Sequence, residues 1–79
     1  MKRRARLVWR SRRGMRELDL LLQRFLERGL ETLSGTEQDS FERLLDYPDQ
    51  DILEWLSGRA RAPDAGLEDI VRAIRAASG

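Results

Sequence analysis

The chain has 79 residues, 37% charged and 41% hydrophobic, so it can form one small domain (residues 1–79) but no deep internal cavity. It contains no cysteine and no histidine, which excludes disulfides, thiolate chemistry, the common zinc sites and histidine-activated nucleophiles. No apolar run approaches the roughly 20 residues of a membrane span, and no apolar signal core follows the basic N-terminus. We therefore expect a cytoplasmic protein without membrane insertion.

Charge is distributed unevenly along the chain. Residues 1–16 contain eight basic residues and no acidic one. The remaining residues contain seven basic and 14 acidic residues, a net charge of −7. The overall charge of +1 therefore hides a cationic end and an anionic body, whose field can steer a partner of complementary charge.

The first two predicted helices meet at a glycine. Residues 3–12 form a short helix that must dock to be stable, with Leu7 and Val8 facing the core and Trp9 half-buried. After Gly14, the longest helix is predicted from Met15 to about residue 33. Its apolar residues follow the i, i+3, i+4, i+7 pattern of an amphipathic helix: Leu18, Leu21, Leu22, Phe25, Leu26, Leu30 and Leu33.

Three further helices are predicted over residues 35–46, 50–57 and 65–77. Ser34 and Glu37 fit a capping box before the third helix, and Asp49 and Asp64 are the expected N-caps of the fourth and fifth. No segment alternates with period two. The sequence therefore predicts an all-α fold, a compact bundle of about five short helices.

The turn around Gly14 has a structural interpretation. If the second helix begins at Met15, Gly14 is its N-cap, and Glu17 at the third helical position can accept from the backbone N–H of the cap. A glycine also permits a sharp corner. This interpretation explains Gly14 and Glu17, but it does not explain the arginines around them.

The same turn has the composition of a protein-binding surface. Arginines beside an aromatic residue and a methionine are typical of interface hot spots, and a guanidinium can hold a carboxylate or phosphate at two points. The predicted partner-binding residues are Trp9, Arg12, Arg13, Gly14, Met15, Arg16 and Glu17.

The stretch Arg12-Arg13-Gly14-Met15-Arg16-Glu17-Leu18-Asp19, with Trp9 upstream, resembles the RGxxE signature of the SdhE family. Arg13, Gly14 and Glu17 fall on the signature positions. The resemblance continues through Ser34-x-x-Glu37, Phe41-x-Arg43-Leu44-Leu45 and Asp51-x-x-x-Trp55-Leu56. One departure is Pro48, since relatives often place this proline one or two residues later.

This resemblance implies a small helical flavinylation factor that is not an enzyme. Such a factor binds the flavoprotein subunit of succinate dehydrogenase or fumarate reductase and promotes covalent attachment of FAD to a histidine of that partner. It implies that this chain acts on the FAD of its partner and stably binds no cofactor itself. The RGxxE surface would face the partner, and we expect a monomer.

Other function classes remain to be weighed against this one. Eight cations with a tryptophan among them could bind nucleic acid, or the chain could be an antitoxin-like regulator. The anionic body and the lack of a polar recognition helix argue against nucleic acid. An enzyme with paired carboxylates is also disfavoured, because Asp49, Asp51, Glu68 and Asp69 sit where acids stabilise helix N-termini.

Overall fold

The computed structural model describes residues 2–78, which contain five α-helices and no β-strand. The helices are α1 (Arg3–Arg10), α2 (Arg16–Gly29), α3 (Gly35–Leu44), α4 (Asp49–Leu56) and α5 (Ala65–Ser78). The predicted all-α bundle is confirmed. The predicted domain also included Met1 and Gly79, which lie outside the described residues.

The two longest helices, α2 and α5, pack against each other, and α3 and α4 also pack against α5. Phe25 of α2 and Phe41 of α3 bring their rings to 5.2 Å between centroids. Trp55 is 7% exposed and meets Tyr47 edge-on, so it belongs to the core. The core consists of Leu7, Leu18, Leu22, Phe25, Leu26, Leu30, Phe41, Leu44, Leu45, Ile52, Trp55, Leu56, Leu67, Ile70, Val71 and Ile74.

Helix α2 is shorter than the sequence predicts. It ends at Gly29, and a 3₁₀ turn (Leu30–Thr32) follows where we expected the helix to continue to Leu33. Gly29 leaves the helical region, with φ −130°, and the Thr32 hydroxyl donates to its carbonyl at 2.8 Å. A Cβ at Gly29 would lie 3.3 Å from the ring of Phe25, so close packing favours glycine at this end.

Two of the three predicted caps are confirmed. Ser34 and Glu37 form the full capping box, and Asp64 accepts from the Leu67 N–H at 2.9 Å at the start of α5. The prediction that Asp49 caps α4 is wrong, because Pro48 occupies the N-cap and Asp49 is the first helical residue. The Asp49 carboxylate instead accepts from Arg13 at 2.6 Å.

Helix α1 is covered on one side only. It ends at Arg10, two residues before the predicted end, where Ser11 donates its N–H to Leu7 and its hydroxyl to Val8. Leu7 is buried, whereas Trp9 is 74% exposed, so the prediction of a half-buried Trp9 is wrong. Two residues turn the helix by about 200°, which places Trp9 opposite Leu7 and toward solvent.

An ion-pair ladder docks α1 along α3. It pairs Arg3 with Asp39 (2.5 Å), Arg6 with Glu42 (2.8 Å), Arg10 with Asp46 (2.5 Å) and Arg13 with Asp49 (2.6 Å). Each pair joins residues 36 positions apart, so α1 and α3 run in the same direction. The spacing of three and four residues places Arg3, Arg6 and Arg10 on one face of α1. Asp39 and Glu42 belong to α3, and Asp46 follows its end. The pair of Arg13 and Asp49 extends the ladder beyond α1 to the start of α4.

Across residues 2–78, none of the helices has both the length and the apolar character that crossing a membrane requires.

Candidate functional site

Residues 12–17, which join α1 to α2 and include the first two residues of α2, are called here the Gly14 corner. Gly14 is exposed and has φ +86°, in the left-handed region that L residues rarely adopt. A Cβ at this position would meet no atom within 4 Å. Glycine is therefore required by the backbone conformation and not by lack of space, and the surface above it is open to a partner.

Asp19 makes the side-chain contacts that Glu17 was predicted to make. Its carboxylate accepts from the backbone N–H of Arg13 at 2.7 Å and of Gly14 at 3.2 Å. The N-cap of α2 is Met15, not Gly14, so the predicted half capping box is wrong. Asp19 reaches back from the first turn of the helix to residues five and six positions earlier, farther than the three-residue reach of a capping box.

Arg13 is only 16% exposed at its side chain, and all three guanidinium nitrogens are engaged within the chain. Nε donates to Asp49 of α4, Nη1 to the carbonyls of Leu45 (2.8 Å) and Arg10 (3.3 Å), and Nη2 to the Tyr47 carbonyl (2.8 Å). These carbonyls lie at the ends of α1 and α3, where backbone acceptors lack helical partners. Arg13 thus ties three helix ends together. Its predicted contact with a partner stays a prediction.

The remaining charged residues of the corner point outward. Arg12, Arg16 and Glu17 are exposed, and none of them makes an ion pair with any residue that the structure describes. Met15 is half-buried against the core. The corner therefore presents two cations and one carboxylate to solvent, and the exposed Trp9 lies at the end of the helix that leads into it.

A shallow depression of about 460 Å³ lies beside the corner. Gly14, Arg16, Asp19, Leu20 and Gln23 line it. Leu20 is 46% exposed and was not predicted to belong to the site. The signal that could have found it is a leucine on the otherwise polar face of α2, opposite Leu18 and Leu22.

A second, larger hollow runs between α1 and α2. Its volume is about 520 Å³, and Asp19 and Gln23 line it as well as the smaller depression. Its floor contains Val8 and Leu26. Among residues 2–78 there is no group of acidic side chains arranged to hold a metal ion.

These features define the chain as a small helical-bundle protein with an exposed charged corner. Residues 5–78 match the family model described as "Flavinator of succinate dehydrogenase", and the chain belongs to this family.

Several curated relatives carry the name FAD assembly factor SdhE. The chain is 45% identical to those of Pseudomonas savastanoi pv. phaseolicola and Pseudomonas syringae pv. tomato, over 87% of this chain and 82% of each relative. It is 40% identical to that of Vibrio cholerae, over 89% of this chain and 81% of the relative. It is 39% identical to that of Coxiella burnetii, over 89% of this chain and 85% of the relative. The resemblance in the sequence is confirmed.

Proposed function

We propose that this protein binds the flavoprotein subunit of succinate dehydrogenase and promotes the covalent attachment of FAD to it. The observation that carries the proposal is the Gly14 corner, in a chain that belongs to the flavinator family. Hydrogen bonds of Arg13 and Asp19 attach the corner to the rest of the fold. Arg12, Arg16 and Glu17 are exposed and can contact a partner.

The proposed mode of action is differential binding. With no histidine or cysteine, the chain offers no imidazole or thiolate for the flavin bond, and the histidine that attaches FAD belongs to the partner. A helper that binds the reactive arrangement of its partner more tightly than other arrangements raises the population of that arrangement. In this proposal the protein is not an enzyme, binds no cofactor stably, and acts on the FAD held by the flavoprotein.

The pairing of the basic residues supports a protein partner over a nucleic acid. Four arginines of the first 16 residues belong to the ladder with α3 and α4, and Arg4 pairs with Glu31 at 3.1 Å. These cations are already compensated by carboxylates. Nucleic-acid affinity depends on cations that are free to displace counterions from phosphates, and the ladder reduces their number.

Three finer features complete the proposal. Fumarate reductase is a second candidate partner, because it shares the need for covalently attached FAD. The protein acts as a monomer, so that its corner is free to meet the flavoprotein. It acts in the cytoplasm, where the flavoprotein subunit receives its cofactor before assembly.

The test is the flavin fluorescence of the denatured flavoprotein subunit on a gel, since denaturation releases FAD that is not covalently bound. The subunit is produced alone, with the wild-type protein, with Glu17→Ala and with Asp69→Ala. Asp69 is the control, because it is also an exposed carboxylate on a helix but lies on α5 and lines neither depression. We expect a bright band with the wild type and with Asp69→Ala, and a weak one with Glu17→Ala. Equal bands in all four samples would show that the flavoprotein needs no help, and the proposal would fail.

A further inference from the structure

Asp19 lies outside the RGxxE signature, yet its carboxylate holds the signature backbone. One oxygen accepts from the Arg13 N–H at 2.7 Å and the other from the Gly14 N–H at 3.2 Å. The backbone N–H of Asp19 itself donates to the Met15 carbonyl at 2.8 Å. A single residue is therefore bonded to three successive residues of the corner, one on each side of Gly14 and Gly14 itself.

The corner needs such an anchor because glycine is flexible. A glycine adopts left- and right-handed conformations with similar ease, so Gly14 alone would leave the direction of the chain poorly defined. The guanidinium of Arg13 attaches the α1 side of the corner to α3 and α4. Asp19 attaches the same segment to α2. These two attachments together define the angle at which the first turn of α2 is presented.

The position of Glu17 on α2 leaves its side chain exposed while Asp19 holds the corner. Glu17 and Asp19 are two residues apart on α2, so their side chains leave the helix about 200° apart. Asp19 is half-buried and points back to the corner, while Glu17 is exposed. The helix can thus hold the corner with one carboxylate and offer the other to a partner.

We infer that Asp19 is a positioning residue for partner binding: it holds the Gly14 corner in one conformation so that Glu17 and the neighbouring arginines meet the flavoprotein already ordered. Ordering these groups before contact removes an entropic cost from binding. The inference rests on the proposed function and adds to it a residue that acts through the exposed residues of the corner.

The experiment is a double-mutant cycle on the affinity for the purified succinate dehydrogenase flavoprotein subunit. The full-length chain is used as wild type, Asp19→Ala, Glu17→Ala and the double variant. We expect Asp19→Ala to weaken binding about tenfold, because the two hydrogen bonds to the corner backbone are lost and the corner must then be ordered on binding. In the Glu17→Ala background, the same change should weaken binding by only about threefold, because the Glu17 contact that Asp19 positions is already lost while those of Arg12 and Arg16 remain.

Two further measurements separate positioning from a general loss of structure. Amide exchange at Arg13 and Gly14 should accelerate at least several-fold in Asp19→Ala, while exchange in α5 stays as in the wild type. Asp19→Asn keeps one acceptor oxygen, so its affinity should lie between those of the wild type and Asp19→Ala. Asp69→Ala is the matched control, since Asp69 is an exposed aspartate of α5, and it should change neither affinity nor exchange.

The outcomes distinguish this inference from the proposed function. If the wild-type chain does not bind the flavoprotein at all, the proposed function fails. If it binds and Glu17→Ala weakens binding, but the Asp19 loss is absent or simply adds to the Glu17 loss, the positioning inference is overturned and the proposed function stands. Should Asp19→Ala not fold, the same cycle with Asp19→Asn decides the question by the same criterion.

Discussion

Gly14 combines a strained backbone with open space, which allows its two roles to be separated. An L residue at φ +86° costs about 1–2 kcal/mol, and a side chain there meets nothing within 4 Å. We expect both Gly14→Ala and Gly14→Arg to fold with that loss in the free energy of unfolding. Only Gly14→Arg places a long cation on the open surface, and it should abolish flavinylation, measured as the fluorescent flavoprotein band.

The control for backbone strain is Gly58→Ala. Gly58 has φ +81° after α4, and a Cβ there would lie 3.6 Å from Arg75, an ordinary contact. Gly58→Ala should lower the free energy of unfolding as much as Gly14→Ala does, while flavinylation of the flavoprotein stays normal. Full flavinylation with Gly14→Arg would show that the open surface above the corner does not meet the flavoprotein.

Replacing each tryptophan by alanine should affect the free energy of unfolding very differently. Trp9 is 74% exposed, so Trp9→Ala should change the free energy of unfolding by less than about 0.5 kcal/mol. Trp55 is 7% exposed and packs against Tyr47, so Trp55→Ala should cost about 3–5 kcal/mol. Urea denaturation measures both. If Trp9 contacts the partner as predicted, Trp9→Ala weakens flavoprotein binding despite its normal stability, and unchanged affinity would remove it from the site.

At the residue scale, the sequence identified the corner but not its internal contacts. Gly14 was predicted because a glycine between two helical patterns is a local signal. The contacts of Arg13 and Asp19 depend on where α3, α4 and the first turn of α2 lie in space. Local spacing carries no such information, so it does not reveal that the Arg13 guanidinium is engaged inside the chain. The predicted contact of Arg13 with a partner stays a prediction.

At the scale of elements, α1 should be the part of the fold most sensitive to salt. Its attachment combines Leu7 with the ion-pair ladder, and exposed pairs contribute about 0.2–1 kcal/mol each. Raising the salt concentration from about 0.1 M to about 1 M shortens the screening length from about 10 Å to about 3 Å. Amide exchange in α1 should accelerate several-fold, whereas exchange in α5 should not change.

A charge exchange tests the ladder directly. Arg10→Glu places a third carboxylate beside Glu42 and Asp46, so α1 should detach from α3 and its amide exchange should accelerate at low salt. Adding Asp46→Arg restores a pair of opposite charges and should return the exchange rate of α1 toward that of the wild type. The ladder would have no role in docking α1 if high salt accelerated amide exchange equally in α1 and α5. The same conclusion would follow if Asp46→Arg did not slow the exchange of α1 in the Arg10→Glu variant.

The N-terminus of α5 should lose stability in acid. The pKa of Asp64 lies below its usual value of 3.8, first because it accepts from the Arg43 guanidinium and second because it accepts from the Leu67 N–H. A lowered folded-state pKa stabilises the fold above pH 3.8, and this contribution is lost as the pH falls through the folded-state value. The stability advantage of the wild type over Asp64→Asn, measured by urea denaturation, should therefore decline steadily as the pH falls below 3.8 toward the folded-state pKa. An advantage that is the same at every pH below 3.8 would contradict this assignment.

Helix positions could be predicted well because the apolar periodicity is continuous. Helix ends were less predictable where contacts determine them, as at Gly29 beside Phe25. The ladder had a signal in the sequence: the basic positions 3, 6, 10 and 13 repeat the spacing of the acidic positions 39, 42, 46 and 49. Without a known arrangement of α1 and α3, that coincidence does not indicate pairing, and the sequence predicts only a cationic end whose helix must dock.

At the scale of the whole molecule, the charge asymmetry of the sequence is partly cancelled by folding. The cationic first helix lies against the acidic face of α3, so opposite charges that are far apart in sequence become neighbours. What remains uncompensated near the N-terminal end includes Arg12 and Arg16 of the corner. Folding thus leaves two uncompensated positive charges at the site proposed to meet the flavoprotein.

The stability of the whole bundle depends on the buried face of α2, which packs against α5. A domain of 79 residues has a total stability of about 4–12 kcal/mol, and a buried unpaired carboxylate costs several kcal/mol. Leu22 is fully buried, so Leu22→Asp should abolish cooperative thermal unfolding monitored by circular dichroism. Leu20→Asp introduces the same group two residues away, where the side chain is 46% exposed, and should change the free energy of unfolding by less than about 1 kcal/mol. A normal melting curve for Leu22→Asp would mean that α2 turns a different face to the core, and the outward placement of Glu17 would be wrong with it.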